Sequence, residues 1–291
     1  MNTLSHKLIT YTVFSKHIQG GNPAGIVPDC DGLTPCQMQN IAKKAGFSET
    51  VFISYSDKAD YNFRYFTPAV EVPACGHATL AGLFFLKKTE LLNKISGTLQ
   101  TKGGIIHYRF NSDLGLFYIK QPVPKFGPVI DSETIAHSLT ITTGQLNASL
   151  PIQKVNTGLW DIIIPVKNKK TLMSLNPDFE QIKDISLRNN AIGYHVFALD
   201  DETYHAFCRN FAPAAGISEE AATGTASGAL AAYLYHYNTL TSNEMIFRQG
   251  ESLNRPSEIH VILNKKTDPY PGLWVGGYAI YLNTQILTQD N

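Results

Sequence analysis

Arg64-Tyr-Phe-Thr-Pro-Ala69 and Arg209-Asn-Phe-Ala-Pro-Ala214 are two copies of R-x-F-x-P-A, 145 positions apart in a chain of 291 residues. Shortly after each copy, Glu71-x-x-Ala-Cys-Gly-His-Ala78 is matched by Glu219-x-x-Ala-Thr-Gly-Thr-Ala226 at a spacing of 148. A three-residue insertion around 215–218 accounts for the change. The first spacing also lays Val51-Phe52 over Val196-Phe197. Ordered matches at nearly one offset, half the chain long, point to a duplicated two-lobe architecture.

Outward from the repeat, the pattern of each lobe can be read coarsely. Residues 8–14 and 49–54 are rich in β-branched and aromatic side chains and read as strands. Between them Thr34-Pro35 supplies an N-cap and a first-turn proline. Met38, Ile41, Ala42 and Ala45 recur at helical spacing, and Gly46 is the stop. Further strands are expected near 61–66, 104–110 and 115–120, and in the second lobe near 160–165, 193–199, 203–209, 244–248 and 258–263. A helix follows each copy of the repeat, about 77–87 and 225–237, apolar or small on nearly every face. That is the pattern of a helix surrounded by protein, and a dozen residues are too few to cross a membrane. Strands wrapped around one central helix per lobe bury both. Pro122, Pro124 and Pro128 mark the lobe boundary.

Composition narrows the function classes. Lys plus Arg and Asp plus Glu number 24 each, so no net field favours nucleic acid or an anionic membrane. The N-terminal stretch lacks the apolar core of a signal peptide, and the four cysteines form no C-x-x-C pair. The expectation is a cytoplasmic protein with reduced thiols, neither disulfide-framed nor zinc-stapled.

Glycine stands ahead of both central helices, in Cys75-Gly76-His77 and Thr223-Gly224-Thr225. A helix start offers unpaired N–H groups and the positive end of the dipole, and glycine lets a ligand approach the backbone. The pair reads as two anion-binding ends able to hold a carboxylate. The competing reading is two tight strand-to-helix turns. No H-x-x-x-H or similar ligand set surrounds His77, so no metal is expected there. Glu49 opens the strand at 49–54, and alternation puts it on the face of Val51 and Ile53. If that face points inward, the partly desolvated carboxylate suits a group that both takes and gives protons. Spacing alone does not separate it from an exposed loop glutamate.

Taken together, Phe14 to Val27 with its G-N-P-A, Ser48-Glu49-Thr50-Val51-Phe52, Tyr65 to Ala81, Glu219 to Ala226, Arg248-Gln-Gly-Glu251 and Arg255-Pro-Ser257 resemble the PhzF-like (phenazine biosynthesis-like) family. The segments stand in family order over nearly the whole chain. The resemblance implies an α+β, diaminopimelate epimerase-like fold of two pseudo-symmetric β-barrel-like lobes, each wrapped around a central helix, with the active site between them. The lobes would be 1–124, with 276–291 a candidate to complete it, and 129–275. It further implies a cofactor-independent isomerase, usually a homodimer, acting on a small carboxylate-bearing substrate, with no metal, nucleic acid or membrane partner.

The resemblance makes Glu49 the general acid/base, and Asn22, Gly76, His77, Glu220, Gly224, Thr225 and Gln249 the substrate-binding set. Where the family reads E-D-P-x-T-G-S, this chain has Glu219-Glu220-Ala221-Ala222-Thr223-Gly224-Thr225. Glu220 keeps the charge at greater reach, Ala221 frees the backbone that proline would fix, and Thr225 keeps the hydroxyl. Two other readings stand beside this one. A racemase of the same superfamily needs a cysteine at each helix start, and Cys75 faces Thr223 in the second copy. A catalytically idle binding protein would keep the fold alone.

Overall fold

The computed structural model describes residues 4–199, 203–240, 242–264 and 272–289. The chain divides into two units, residues 1–120 with 276–291, and residues 121–275. The first unit runs through β1 (Leu4–Val13), β2 (Asn22–Val27), α1 (Pro35–Ala45), β3 (Thr50–Ser54), β4 (Tyr61–Phe66), β5 (Glu71–Val72), α2 (Gly76–Lys88), β6 (Ser96–Thr101), β7 (Gly104–Asn111) and β8 (Leu116–Lys120). The second contains β9 (Lys125–Val129), α3 (Ser132–Ser138), β10 (Gln153–Asn156), β11 (Trp160–Pro165), α4 (Lys169–Met173) and α5 (Phe179–Arg188). It continues with β12 (Gly193–Leu199), β13 (Ala206–Ala212), β14 (Ile217–Glu220), α6 (Gly224–His236), β15 (Glu244–Gln249), β16 (Ser257–Asn264) and β17 (Gly272–Gly277), whose last two residues already count with the first unit. The chain then returns to the first unit as β18 (Ala279–Gln289), antiparallel to β1.

The two units repeat one pairing scheme. β2–β3 is parallel, β3–β4 and β4–β5 antiparallel, β4–β6 parallel and β6–β7 antiparallel. In the same order β11–β12 is parallel, β12–β13 and β13–β14 antiparallel, β13–β15 parallel and β15–β16 antiparallel. Parallel neighbours cannot be joined by a tight turn and need a crossover. α1 and α2 supply the two crossovers in the first unit; α4–α5 and α6 supply them in the second. The register corrects one detail of the sequence alignment. Arg64 faces Phe52 across the ladder whereas Arg209 faces Val196, so Val51-Phe52 and Val196-Phe197 are one residue out of correspondence. Strand pairing, rather than residue similarity, sets which positions are equivalent.

Each central helix is enclosed by its own unit. α2 packs against β1, β2, β3, β8 and β18, and α6 against β10, β11, β12 and β16. Burial runs without a break from His77 to Leu83 and from Ala226 to Leu234, as expected for helices apolar all round. α1 begins at a Thr34–Gln37 capping box and ends at Gly46 with φ 71°, in the left-handed region that glycine tolerates. The strand expected at 203–209 instead spans Ala206–Ala212, because R-x-F-x-P-A lies in the strand and Pro213 ends it. Helices α3 and α5, which the sequence reading leaves unassigned, cover a second core of Ile135, Ile164, Leu172, Ile182, Ile185 and Phe211. Among the described residues, no helix is long and apolar enough to cross a membrane.

Candidate active site

The duplicated motif is first of all a brace. Arg64 Nε donates to Glu71 Oε1 at 2.8 Å, and its guanidinium lies 5.2 Å from the Phe66 ring. In the second unit Arg209 Nε and Nη2 donate to the two oxygens of Glu219 at 2.9 and 2.8 Å, and the guanidinium lies 4.9 Å from the Phe211 ring. The arginine beside Glu71 holds that carboxyl below its usual range. Arg209 is buried, and its Nη1 also donates to the Leu172 and Leu175 carbonyls. Each ion pair ties a strand to the segment leading into a helix start, so the motif fixes where α2 and α6 begin.

At the start of α2, side chains distant in sequence converge on one imidazole. His77 is 6% exposed. Its Nε2 lies 3.4 Å from Ser48 Oγ and 3.4 Å from Glu49 Oε2. Its Nδ1 lies 3.4 Å from Cys75 Sγ. Glu49 immediately precedes β3, and its side chain is 17% exposed with Oε2 buried and without a hydrogen-bond partner. At 3.4 Å the contact with His77 is long for a charge-assisted hydrogen bond. Cys75 is half-buried, more accessible than a small core residue. The ligand atoms of Glu49, Cys75 and His77 lie within 4.8 Å of one another, close enough to be weighed as a metal cluster. The carboxylate and thiol flank opposite nitrogens of the ring, however, whose lone pairs diverge. That disposition suits proton movement through the imidazole better than three-point chelation of one ion.

The helix start itself is open. Cys75 makes no side-chain cap, and the first turn carries no acidic residue. A Cβ added at Gly76 would meet only Ile119 Cδ1 at 3.7 Å, an ordinary contact. Packing within the unit thus does not require glycine there, which favours the ligand-approach reading over the tight-turn reading. Tyr65 Oη and Thr79 Oγ1 are 2.7 Å apart beneath this turn, and Thr79 Oγ1 donates to the Cys75 carbonyl at 2.6 Å.

The second unit carries its own polar constellation at the start of α6. Thr223 Oγ1 donates to Glu220 Oε2 at 2.8 Å and accepts from Gln249 Nε2 at 3.2 Å. Gln249 Nε2 also donates to the Glu220 carbonyl at 2.7 Å, and its Oε1 accepts from the Thr223 amide at 3.2 Å. Both ends of this buried amide are thus committed to the turn. The adjoining Gly250 has φ 83°, and a Cβ there would lie 2.3 Å from the Arg255 carbonyl oxygen. Gln249 accordingly braces the Glu220–Thr223 turn. Gly224 is buried, Thr225 is partly exposed, and the Thr225 carbonyl accepts from Thr157 Oγ1 at 2.9 Å. Asn22 is buried at the first position of β2, opposite Val13.

One further residue escaped the sequence reading. Asp161 on β11 is 1% exposed, and its Oδ1 has no hydrogen-bond partner. Burial and the nearby Glu220 carboxylate push its carboxyl up to about 8. Asp161 stands across the parallel ladder from Gly193, and by register Gly193 is the counterpart of Glu49. An aspartate inside an apolar strand, W-D-I-I-I, was the available signal.

The family model for phenazine biosynthesis-like protein, PhzC-PhzF, matches residues 11–284. The uncharacterized isomerase YfhB of Bacillus subtilis is 33% identical over 290 residues, covering 97% of this chain and 98% of that protein. The trans-2,3-dihydro-3-hydroxyanthranilate isomerase of Pseudomonas aeruginosa is 26% identical over 260 residues, 88% of this chain and 89% of that protein. Among solved structures, a PhzF-family phenazine biosynthesis protein of Bacillus anthracis superposes with a TM-score of 0.90 at 33% identity, covering 98% of this chain and 99% of that one. A hydroxyproline epimerase of Agrobacterium vitis reaches 0.69 at 9% identity, covering 99% and 93%, and so shares the epimerase-like fold alone. Matched from end to end in sequence and in architecture, the chain belongs to the phenazine biosynthesis-like protein family and is an isomerase.

Proposed function

We propose that this isomerase moves a proton on a small, carboxylate-bearing, amino-acid-like substrate, with Glu49 as general acid/base and without a metal or organic cofactor. The observation that carries the reading is Glu49 Oε2, buried and lacking a hydrogen bond, beside His77 at the uncapped start of α2. A carboxylate so placed is a competent base for a C–H proton made acidic by a neighbouring carboxylate or extended π-system. Negative charge developing on the substrate would be met by the first-turn amides of α2, fixed donors that need no reorganisation. His77, held between Ser48, Glu49 and Cys75, would orient Glu49 and steady its charge through the cycle. Glu49, once protonated, would return the proton to a second carbon of the substrate.

Glu220, at the Thr223 turn, is the group proposed to receive a substrate amine, and Gln249 acts by holding that turn. The name of the Pseudomonas relative supports an amino-acid-like substrate. The cytoplasmic, homodimeric setting is part of the same proposal and rests on the family resemblance. A two-cysteine racemase is disfavoured because Thr223, the counterpart of Cys75, is hydrogen-bonded to Glu220 and Gln249 and is no base near neutral pH.

Deuterium uptake from D2O, followed by NMR over a panel of cyclic and acyclic amino acids that includes trans-2,3-dihydro-3-hydroxyanthranilate, tests the reading. Glu49→Gln should lower exchange or isomerisation by about 10²–10⁴-fold. Unchanged activity in that variant would remove Glu49 as the base.

A further inference from the structure

The four cysteines occupy four different settings. Cys30, after β2, and Cys208, on β13, are buried, and burial pushes both thiols up, Cys30 to about 11. Cys36 is exposed on α1, with the Asn40 amide 4.0 Å away. Cys75 is half-buried at the start of α2 and shares its surroundings with two chemically active groups. Its sulfur is 3.4 Å from His77 Nδ1, and the same ring turns Nε2 to Glu49 Oε2 at 3.4 Å. Thiol, imidazole and carboxylate stand in that order, the arrangement by which a ring accepts a thiol proton on one nitrogen while a carboxylate steadies the charge on the other. The positive end of α2 favours the thiolate in the same sense. A second observation lies at the far end of this line. Glu49 Oε2 is buried without a hydrogen bond and lies 3.4 Å from Nε2, so a proton taken up at Nδ1 would leave the charged ring beside a carboxylate.

We propose that Cys75 is a reactive thiol and a modification site for small electrophiles and peroxides, and that its modification shuts the proton-transfer site at the start of α2. The second clause rests on the function proposed above; the first does not. With a hydroperoxide the step balances as follows. Cys75 gives its proton to His77 Nδ1, and the thiolate attacks one peroxide oxygen. The S–O bond forms as the O–O bond breaks, so sulfur is oxidised by two electrons and the peroxide is reduced. The leaving hydroxide or alkoxide takes the proton from His77 and departs as water or alcohol. A small thiol then attacks the sulfenic sulfur, expelling water, and a second thiol regenerates Cys75 with release of a disulfide. An oxygen or larger group on this sulfur would crowd His77 and the approach to the Gly76 and His77 amides.

Iodoacetamide labelling of the native protein at pH 7, read peptide by peptide by mass spectrometry, is the test. Cys75 should react about tenfold faster than Cys36, and Cys30 and Cys208 only after denaturation. His77→Asn should slow Cys75 to about the rate of Cys36 while leaving Cys36 unchanged, so that Cys36 and the two buried thiols report an intact fold. Hydrogen peroxide should place a dimedone-trappable sulfenic acid on Cys75, reversed by dithiothreitol. Labelling of Cys75 no faster than Cys36, or unaffected in His77→Asn, overturns the reactive thiol. In a Cys36→Ser background, isomerase activity should fall in proportion to Cys75 labelled, and full activity at full labelling overturns the gating. Selective labelling in a protein that isomerises no compound counts against the proposed function and supports the reactive thiol.

Discussion

Single residues carry most of the chemistry here, and Asp161 shows how tertiary burial creates it. Its carboxyl is sealed from water beside Glu220, and its affinity for a proton rises from the ordinary 3.8 to about 8. The folded state therefore binds more protons than the unfolded chain between those values, and stability falls as pH rises through that window. The contribution is fully present below the unfolded value and is lost above about 8. Asp161→Asn removes the titration, so the stability difference, variant minus wild type, should grow by a few kcal/mol from pH 5 to pH 8. Urea denaturation at the two pH values measures it, and a constant difference would contradict the burial-driven shift. Glu49 differs in kind: under the proposed function, the readout of its substitution is proton exchange.

At the scale of the element, the start of α2 is where sequence and function meet. Most glycines at turns are explained by a positive φ or a close backbone approach, as at Gly250. Gly76 has neither demand, since a methyl group would find only Ile119 at ordinary distance. Gly76→Ala should leave stability within about 0.5 kcal/mol of wild type. Substrate binding should weaken about tenfold if a carboxylate hydrogen-bonds to this turn, the cost of one charge-assisted hydrogen bond. Thermal melts and KM for a substrate found by the exchange assay separate the two effects. A lower melting temperature with unchanged KM would return Gly76 to a packing role. The counterpart element, the Glu220–Thr223 turn, is held by Gln249 from a strand 26 to 29 residues further on.

For the whole molecule, the return of the chain as β18 is the long-range event that completes the first unit. β18 pairs with β1 along its length and also packs against α2 and α1. A chain ending at residue 275 lacks that strand but retains all residues of the second unit. In hydrogen exchange it should keep protection in β11, β12 and α6 while losing it in β1 and α2. Equal protection of both units in the truncated chain would show that β18 is dispensable. The duplicated pairing scheme supports treating the units as separate cooperative bodies, because each holds its own central helix and crossovers.

What the sequence determined by itself are features written within a few residues or repeated at a fixed offset. The Thr34 N-cap and first-turn proline of α1, the two apolar helices, the Gly46 stop and the duplicated R-x-F-x-P-A frame were legible because local pattern and chain period encode them. Glu49 was named through family resemblance, and nothing in its spacing would have singled it out, whereas His77 stood out by its place in the duplicated helix start. Only the tertiary structure brought Glu49, Cys75 and His77 around one ring, occupied Gln249 with a turn, and sealed Asp161 beside Glu220. It also corrected the Val51-Phe52 alignment by one residue. The reason is common to all of them: burial and strand register are set by pairings between segments tens of residues apart, and no local pattern carries that information.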